Sequence, residues 1–362
     1  MGRCGIIGGM HRCMSDRIAS ALRREFADGL WRAGATLPDL DTLRIRFGAG
    51  EYAIRHALRR LRDEGLIVLR QNVGAVVADR AAPPWKGRIL FIDLGAHGSY
   101  FEQEVSLRLS ARFCSAGWDF VPVGIAGAHD GSADLAPLLR QLANGASFAI
   151  GLSSSRQIAA CLAAASVPYA ALDFGPAGTA GTSAAIRPNL TRAFADMAAA
   201  MRACGVRRIV EFDYERRIDR EFKQTMAAAG LEVRRALCRW DDDSPWSMSD
   251  VRRCGHVSVA KFFAVGRNRR NPPDAVLFDD DYLASGGIVA LLEAGLRIPD
   301  DVKVVTYCNR GDEPVAKVPL ARIECDPTVC ADAAADYTLA VLEGKHPALP
   351  RPELTFIPGG SL

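Results

Sequence analysis

Residues 15–80 hold 12 arginines, no lysine and 9 acidic residues. An arginine-only basic set suits fixed two-point contacts to phosphates and base edges. A GC-rich coding sequence produces the same bias, so the count alone decides nothing. Placement says more. Tyr52, Arg55, His56, Arg59 and Arg62 recur at three- and four-residue spacing, opposite the apolar Ile54, Leu58 and Leu61. That is one face of a helix, either solvated or turned to a nucleic acid.

Farther along, Asp279-Asp280-Asp281 follow an apolar run directly. Three adjacent carboxylates are too costly to bury together without partners. No Cys or His spacing suits zinc, and Asp241-Asp242-Asp243-Ser244 lacks the calcium-loop pattern, so no metal is expected. A phosphate loop, a nucleophile elbow, an H-E-x-x-H helix and a G-x-G-x-x-G turn after a strand are all missing, so neither enzyme chemistry nor a cofactor is expected. The ten cysteines form no C-x-x-C pair and sit mostly in apolar segments, as free thiols of a cytoplasmic protein would. With net charge +3 and no run of 18 uncharged apolar residues, the chain calls for no membrane span.

The elements that position these residues can be read from the pattern. Ser15 is placed to cap a helix with Ile18, Leu22, Phe26 and Leu30 on one side. Asp39 caps a short second helix through Phe47, and Gly48 and Gly50 mark a tight turn. A third helix runs from Glu51 to Gly65. Two short β-rich runs follow, with Arg70–Gly74 as their turn. Three helices and a hairpin in this order make a winged helix-turn-helix, whose third helix enters the major groove.

The residues Leu37-Pro38-Asp39, Leu43, Phe47-Gly48, Ile54-Arg55, Ala57-Leu58, Leu61 and Glu64-Gly65-Leu66 give the stretch a close resemblance to the GntR family over about residues 15–78. The resemblance implies operator DNA as a partner. The DNA-facing set is then Arg44, Arg46, Glu51, Tyr52, Arg55, His56, Arg59 and, in the hairpin turn, Asn72. Two positions depart from the family pattern. Glu51 stands where an arginine is usual, and Val73 where a basic residue is usual. A glutamate there is repelled by phosphate but can accept from cytosine N4.

Pro83-Pro84 interrupts the chain, and residues 81–87 read as a linker behind a 15–80 head and a 1–14 tail. From residue 88 to 362, apolar strands alternate with helical stretches, for example Arg88–Leu94, Phe148–Leu152, Arg208–Phe212, Ala275–Phe278 and Val302–Tyr307. About ten strands are too many for one open sheet, so an α/β domain of two doubly wound lobes is expected, with ligand at the carboxyl ends of the strands. By that rule Ser153 and Asp173, each just past a strand, are candidate ligand contacts.

The run Pro273-Asp274-Ala275 through Asp281, Ala284 and Gly286, then Ala290-Leu291, Gly295 and Pro299-Asp300-Asp301-Val302, resembles the LacI/GalR regulators. Gly205, Arg207-Arg208-Ile209 and Asp326-Pro327 support the match. The resemblance implies a two-lobed, periplasmic-binding-protein-like (type I) sensor of a small molecule, often a sugar, that dimerises through this domain. It adds His97, Tyr100 and Phe101 as a stacking segment, Asn189 as an amide contact, Asp280 at a ligand-facing position, Asp281 as the cap of the next helix, and a ligand arginine among Arg216, Arg217 and Arg220. It also puts Cys308 where the family carries a carboxylate, which leaves room for an unusual sugar or another effector.

Together these readings predict a cytoplasmic, homodimeric transcription regulator, a repressor by default. Two alternatives stand beside it: a sensor whose head no longer reads DNA, and a sugar-processing enzyme built on the α/β domain.

Overall fold

In the first 86 residues, apolar side chains at helical spacing fold three helices onto one core. A computed structural model describes residues 5–70, 73–78, 85–93, 98–125, 134–152, 155–173, 184–213, 220–238 and 247–362. The chain divides into two units, Met1–Lys86 and Gly87–Leu362.

The first unit contains helices α1 (Gly5–Ala27), α2 (Leu40–Phe47) and α3 (Glu51–Asp63), then strands β1 (Ile67–Arg70) and β2 (Gly74–Val77). Ile18 and Leu22 of α1, Leu43 of α2, and Ile54, Ala57 and Leu61 of α3 close on one another with Leu66, Ile67 and Val77. Helix α1 starts ten residues before the expected cap. Ser15 therefore lies buried inside it, and residues 5–14, expected in a tail, belong to the helix. Asp39 caps α2 by accepting from the Thr42 amide at 2.8 Å. Gly48 ends that helix in the left-handed conformation, φ 57°, which a side chain would strain. The hairpin pairs Ile67 with Val77 and Arg70 with Gly74. Residues 34–37 add a further extended segment that the sequence reading missed: the Leu37 amide donates to Ala75 at 2.8 Å and the Val77 amide to Ala35 at 2.9 Å.

The second unit begins with β3 (Arg88–Asp93), α4 (Tyr100–Ser115), β4 (Asp119–Gly124), α5 (Ala136–Ala143), β5 (Phe148–Leu152), α6 (Arg156–Ala164), β6 (Tyr169–Leu172) and β7 (Ala184–Ile186). It continues with α7 (Thr191–Ala203), β8 (Arg208–Asp213), α8 (Arg220–Ala228), β9 (Glu232–Leu237), α9 (Met248–Ala264), α10 (Gly266–Arg270), β10 (Ala275–Phe278) and α11 (Asp281–Glu293). Strands β11 (Lys303–Asn309) and β12 (Ala321–Cys325), helix α12 (Pro327–Leu342) and β13 (Thr355–Ile357) complete it.

Among the described residues these strands make two sheets, ordered β4-β3-β5-β6-β7 and β9-β8-β10-β11-β12-β13, parallel except for β13. The expected two-lobed doubly wound domain is therefore present. Side-chain alternation explains why both faces carry helices. On β3, Ile89 and Phe91 pack toward α4 while Leu90 and Ile92 pack toward α5 and α6. On β10, Val276 and Phe278 meet α9 and α11, while Ala275 and Leu277 meet the opposite core.

The chain crosses between lobes three times. It passes from β7 to α7, which packs on α8 and β13, and from β12 to α12, which packs on α4, β5 and β6. From α12 it returns to β13. Arg108 of α4 makes a two-point pair with Asp332 of α12, both bonds 2.8 Å, and Arg112 adds a 2.6 Å bond to the same carboxylate. The cysteines from Cys114 to Cys330 are free thiols.

Candidate nucleic-acid interface and ligand cleft

Helix α3 buries Ala53, Ile54, Ala57 and Leu61, which leaves Glu51, Tyr52, Arg55 and Arg59 exposed on the other side. Glu51 and Arg55 are paired, Oε1 to Nε, at 2.7 Å. The sequence reading treated these groups as independent cations and one stray acid; the structure couples them. Arg44 pairs with Asp41 at 3.0 Å, and Arg46 pairs with Glu25 while its guanidinium covers the Phe47 ring. Arg62 pairs with Asp63 at 2.6 Å, and Arg60 pairs with Asp16 and with Glu64. Among the described residues, the exposed Arg59 carries no carboxylate partner, and the half-buried His56, beside Tyr52, has no hydrogen-bond partner at Nδ1. Val73 is exposed at the hairpin turn. Asn72 lies outside the described residues.

In the second unit, both sheets follow the doubly wound order with a switch point, between β3 and β5 in one and between β8 and β10 in the other. Ligands of such sheets sit beyond the strand ends at that point. Those ends meet here. The Tyr100 amide, at the start of α4, donates to the Tyr282 hydroxyl, at the start of α11, at 2.9 Å. The Tyr100 hydroxyl lies so close to Gly311 that a Cβ there would approach it to 2.3 Å. Burial, and then Glu104, Asp312, Glu313 and Asp326, push the Tyr100 hydroxyl above its ordinary pKa. Burial likewise pushes up the Tyr282 hydroxyl, against the bond it accepts from the Tyr100 amide. Tyr282, Gly311 and Asp312 were not singled out from sequence; no spacing signal marks a contact across 182 residues.

The Asp trio is arranged differently from expectation. Asp280 is the cap of α11, accepting from the Leu283 amide at 3.0 Å. Asp281 is buried and ties α11 to the end of β11, accepting from the Asn309 amide at 3.0 Å and from its Nδ2 at 2.9 Å. The cap thus falls on Asp280 rather than Asp281, whose buried side chain also accepts from the Tyr282 amide at 3.0 Å. Burial, and next the charge of Asp280, push the Asp281 carboxyl up to about 7.

Asp173, past the end of β6, is buried and pairs with Arg187 at 2.8 Å. Asn189 gives its amide to local structure: Nδ2 donates to Glu353 at 3.1 Å and Oδ1 accepts from the Thr191 hydroxyl at 3.0 Å. Phe101 is half-buried against the core, and Arg220 opens α8 in an exposed position. Cys308 is buried inside β11, its thiol 3.4 Å from the Asn309 carbonyl, and burial pushes its pKa up. His97 and Ser153 lie outside the described residues.

A further polar cluster unread in the sequence stands at the end of β8. Arg235 of β9 bonds Glu211 at 3.0 Å and also Asp213. Burial raises Glu211 while Arg235 opposes that shift. Among the described residues no group of three or more His, Cys, Asp or Glu is placed to hold a metal, and no helix is long and apolar enough to cross a membrane.

Residues 14–77 match the bacterial regulatory proteins of the gntR family, and residues 198–362 match the periplasmic binding protein-like domain. The histidine utilization repressor of Klebsiella aerogenes is 36% identical over 64 residues, 18% of this chain and 27% of that protein. The chain thus spans only 27% of the length of the curated relatives it matches. Two solved structures are similar in fold. A LacI-family regulator from Lactobacillus casei with bound sucrose has a TM-score of 0.57 at 19% identity, covering 76% of this chain and 100% of that one. The lac repressor dimer bound to operator and the anti-inducer ONPF has a TM-score of 0.59 at 17% identity, covering 75% and 93%. The chain therefore carries a gntR-type winged helix followed by a periplasmic-binding-protein-like domain with the fold of LacI-family regulators.

Proposed function

We propose that the protein is a DNA-binding transcription regulator, a repressor acting in the cytoplasm as a homodimer, whose operator affinity is set by a small effector held between the two lobes. It is not an enzyme on this reading. The observation that carries the reading is the exposed, arginine-bearing face of α3 in a winged helix, on the same chain as a two-lobed ligand domain. Helix α3 is the element that enters the major groove in such heads. A sugar or sugar derivative suits the strand-end groups, since the Asp173–Arg187 pair and the Tyr100 ring offer the donors, acceptors and flat face that polyols use. The sucrose seated in the Lactobacillus casei relative and the operator-bound lac repressor dimer support the same view.

Linkage gives the mechanism. An effector that binds one lobe arrangement better shifts the population toward it, and DNA affinity must change by the same factor as effector affinity. The test has two stages. A thermal-shift screen of the full chain against sugars, polyols, sugar acids and nucleosides finds a ligand that raises the midpoint. Titration of DNA with and without it, and of ligand with and without DNA, must then return one common coupling factor. A factor of one in both directions rejects the switch.

The pairing of Arg44, Arg46, Arg55 and Arg62 with carboxylates favours a second reading, in which the head serves association rather than DNA. Arg55→Ala separates the two: it sharply weakens specific DNA binding under the first reading and changes nothing under the second.

A further inference from the structure

We propose that Glu51 and Arg55 act as one reading unit that selects a C·G base pair in each half-site. The proposal rests on the head binding DNA and names what α3 reads there.

Glu51 is the first residue of α3 and Arg55 stands one turn on, both about half exposed on the face opposite the buried side chains. The bond between them uses Arg55 Nε and Glu51 Oε1. The two terminal nitrogens of Arg55 and the second oxygen of Glu51 make no bond within the described structure, so the pair turns outward a fork of donors beside an acceptor. Its neighbours decide what that fork can meet. A helix amino terminus ordinarily attracts phosphate, but the Glu51 carboxylate already sits in that field and repels a phosphodiester. The first turn of α3 is therefore better matched to base edges than to backbone. Gly50, which precedes it, offers no side-chain cap and no competing polar group.

Among base-pair edges in the major groove, a C·G pair presents the N4 donor of cytosine next to the O6 and N7 acceptors of guanine. N4 and O6 are themselves hydrogen-bonded partners, ~3 Å apart. The Glu51–Arg55 pair holds a free acceptor oxygen beside free donor nitrogens, the opposite order of donor and acceptor. The carboxylate takes N4–H and the guanidinium takes guanine. An A·T pair also offers a donor, on adenine N6, but its partner thymine gives a single O4 acceptor and a methyl group, so the two-point arginine contact is lost. A reversed G·C pair puts the donor under the guanidinium. An isolated i,i+4 pair on a solvated helix needs none of this and selects no base.

The experiment selects bound duplexes from a randomised pool with the full chain, as wild type, Glu51→Ala and Glu51→Gln. All substitutions are at an exposed side chain, and equal thermal midpoints verify folding. The wild type is expected to enrich a C·G pair at one position of each half-site. Glu51→Ala should reduce that preference by at least about tenfold, in the range of one lost base contact, with the other positions kept. Glu51→Gln should weaken the preference less than Glu51→Ala, because the amide oxygen still accepts from cytosine N4 but lacks the carboxylate charge and the charged bond to Arg55. A wild-type motif left unchanged by both substitutions, or relaxed equally at every position, overturns the proposal and leaves the head a DNA reader. A wild type that enriches no sequence overturns the proposal and the DNA-binding reading together.

Discussion

At the scale of single residues, the informative feature is how many cations are already occupied. Arg23, Arg44, Arg46, Arg55, Arg60 and Arg62 each hold a carboxylate in the head. Each pair must open, or be shared with a base, before that arginine meets DNA. Exposed pairs are worth little in isolation, so opening them is affordable, but they lower the field that draws in a polyanion. Arg59 on α3 is exposed without such a partner among the described residues. Arg59→Ala is expected to weaken binding to all sequences alike and to reduce the slope of log affinity against log salt by about one, the loss of one phosphate contact. Fluorescence anisotropy at several salt concentrations measures it; an unchanged slope removes Arg59 from the interface. The same attention to partners moves the helix cap within the Asp trio. Sequence position put Asp281 at the cap, and hydrogen-bond geometry puts Asp280 there.

At the scale of elements, the contact between α9 and α11 shows what a sequence pattern conceals. The family-like glycine at 286 and its partner at 255 let the two backbones touch. A Cβ on Gly286 would stand 1.8 Å from the Arg252 carbonyl oxygen, and one on Gly255 would stand 2.1 Å from that of Leu283. Neither obstacle is a flexible side-chain tip, so the helices must separate. Gly286→Ala is expected to lower stability by about 1–3 kcal/mol or more, the usual cost of overpacking. Gly124→Ala, with open space around its Cβ, should leave the thermal midpoint within a degree or two of wild type. Equal midpoints for the two variants would mean that α9 and α11 move apart without cost. In the head, residues 34–37 join the hairpin through Leu37 and Val77. That short stretch between Gly34 and Pro38 carries no alternating run long enough to announce a strand.

At the scale of the whole molecule, pH should act on stability through Asp281. Its carboxyl is raised from an ordinary 3.8 to about 7 by burial and by Asp280, against the Asn309 hydrogen bonds. A raised folded-state value means that the folded chain holds a proton which the unfolded chain releases. The contribution is complete below pH 3.8 and is lost as pH rises through about 7. Midpoints of the full chain should therefore decline across that window more steeply for wild type than for Asp281→Asn, which cannot ionise. Parallel profiles would show that Asp281 titrates at its ordinary value. Because Asp281 joins α11 to β11 beside the Tyr100–Tyr282 bond, the group lies where the lobes meet. Ligand affinity measured at pH 6 and pH 8 would then report on the same residue.

Local pattern determined a good deal by itself. Helical spacing of Ile54, Leu58 and Leu61 and the glycines at 48 and 65 defined α2 and α3, and apolar runs such as Phe148–Leu152 and Ala275–Phe278 defined strands, because burial imposes its period on neighbouring residues. The motif around residues 37–66 carried the head's fold for the same reason. Tertiary structure alone decided which polar groups distant in sequence meet. Arg23 with Glu64, Arg187 with Asp173, Arg235 with Glu211, and Tyr100 with Tyr282 are joined across intervals that no periodicity encodes. A hydrogen bond or an ion pair needs two groups within about 3 Å, and only the folded path of the backbone sets that distance.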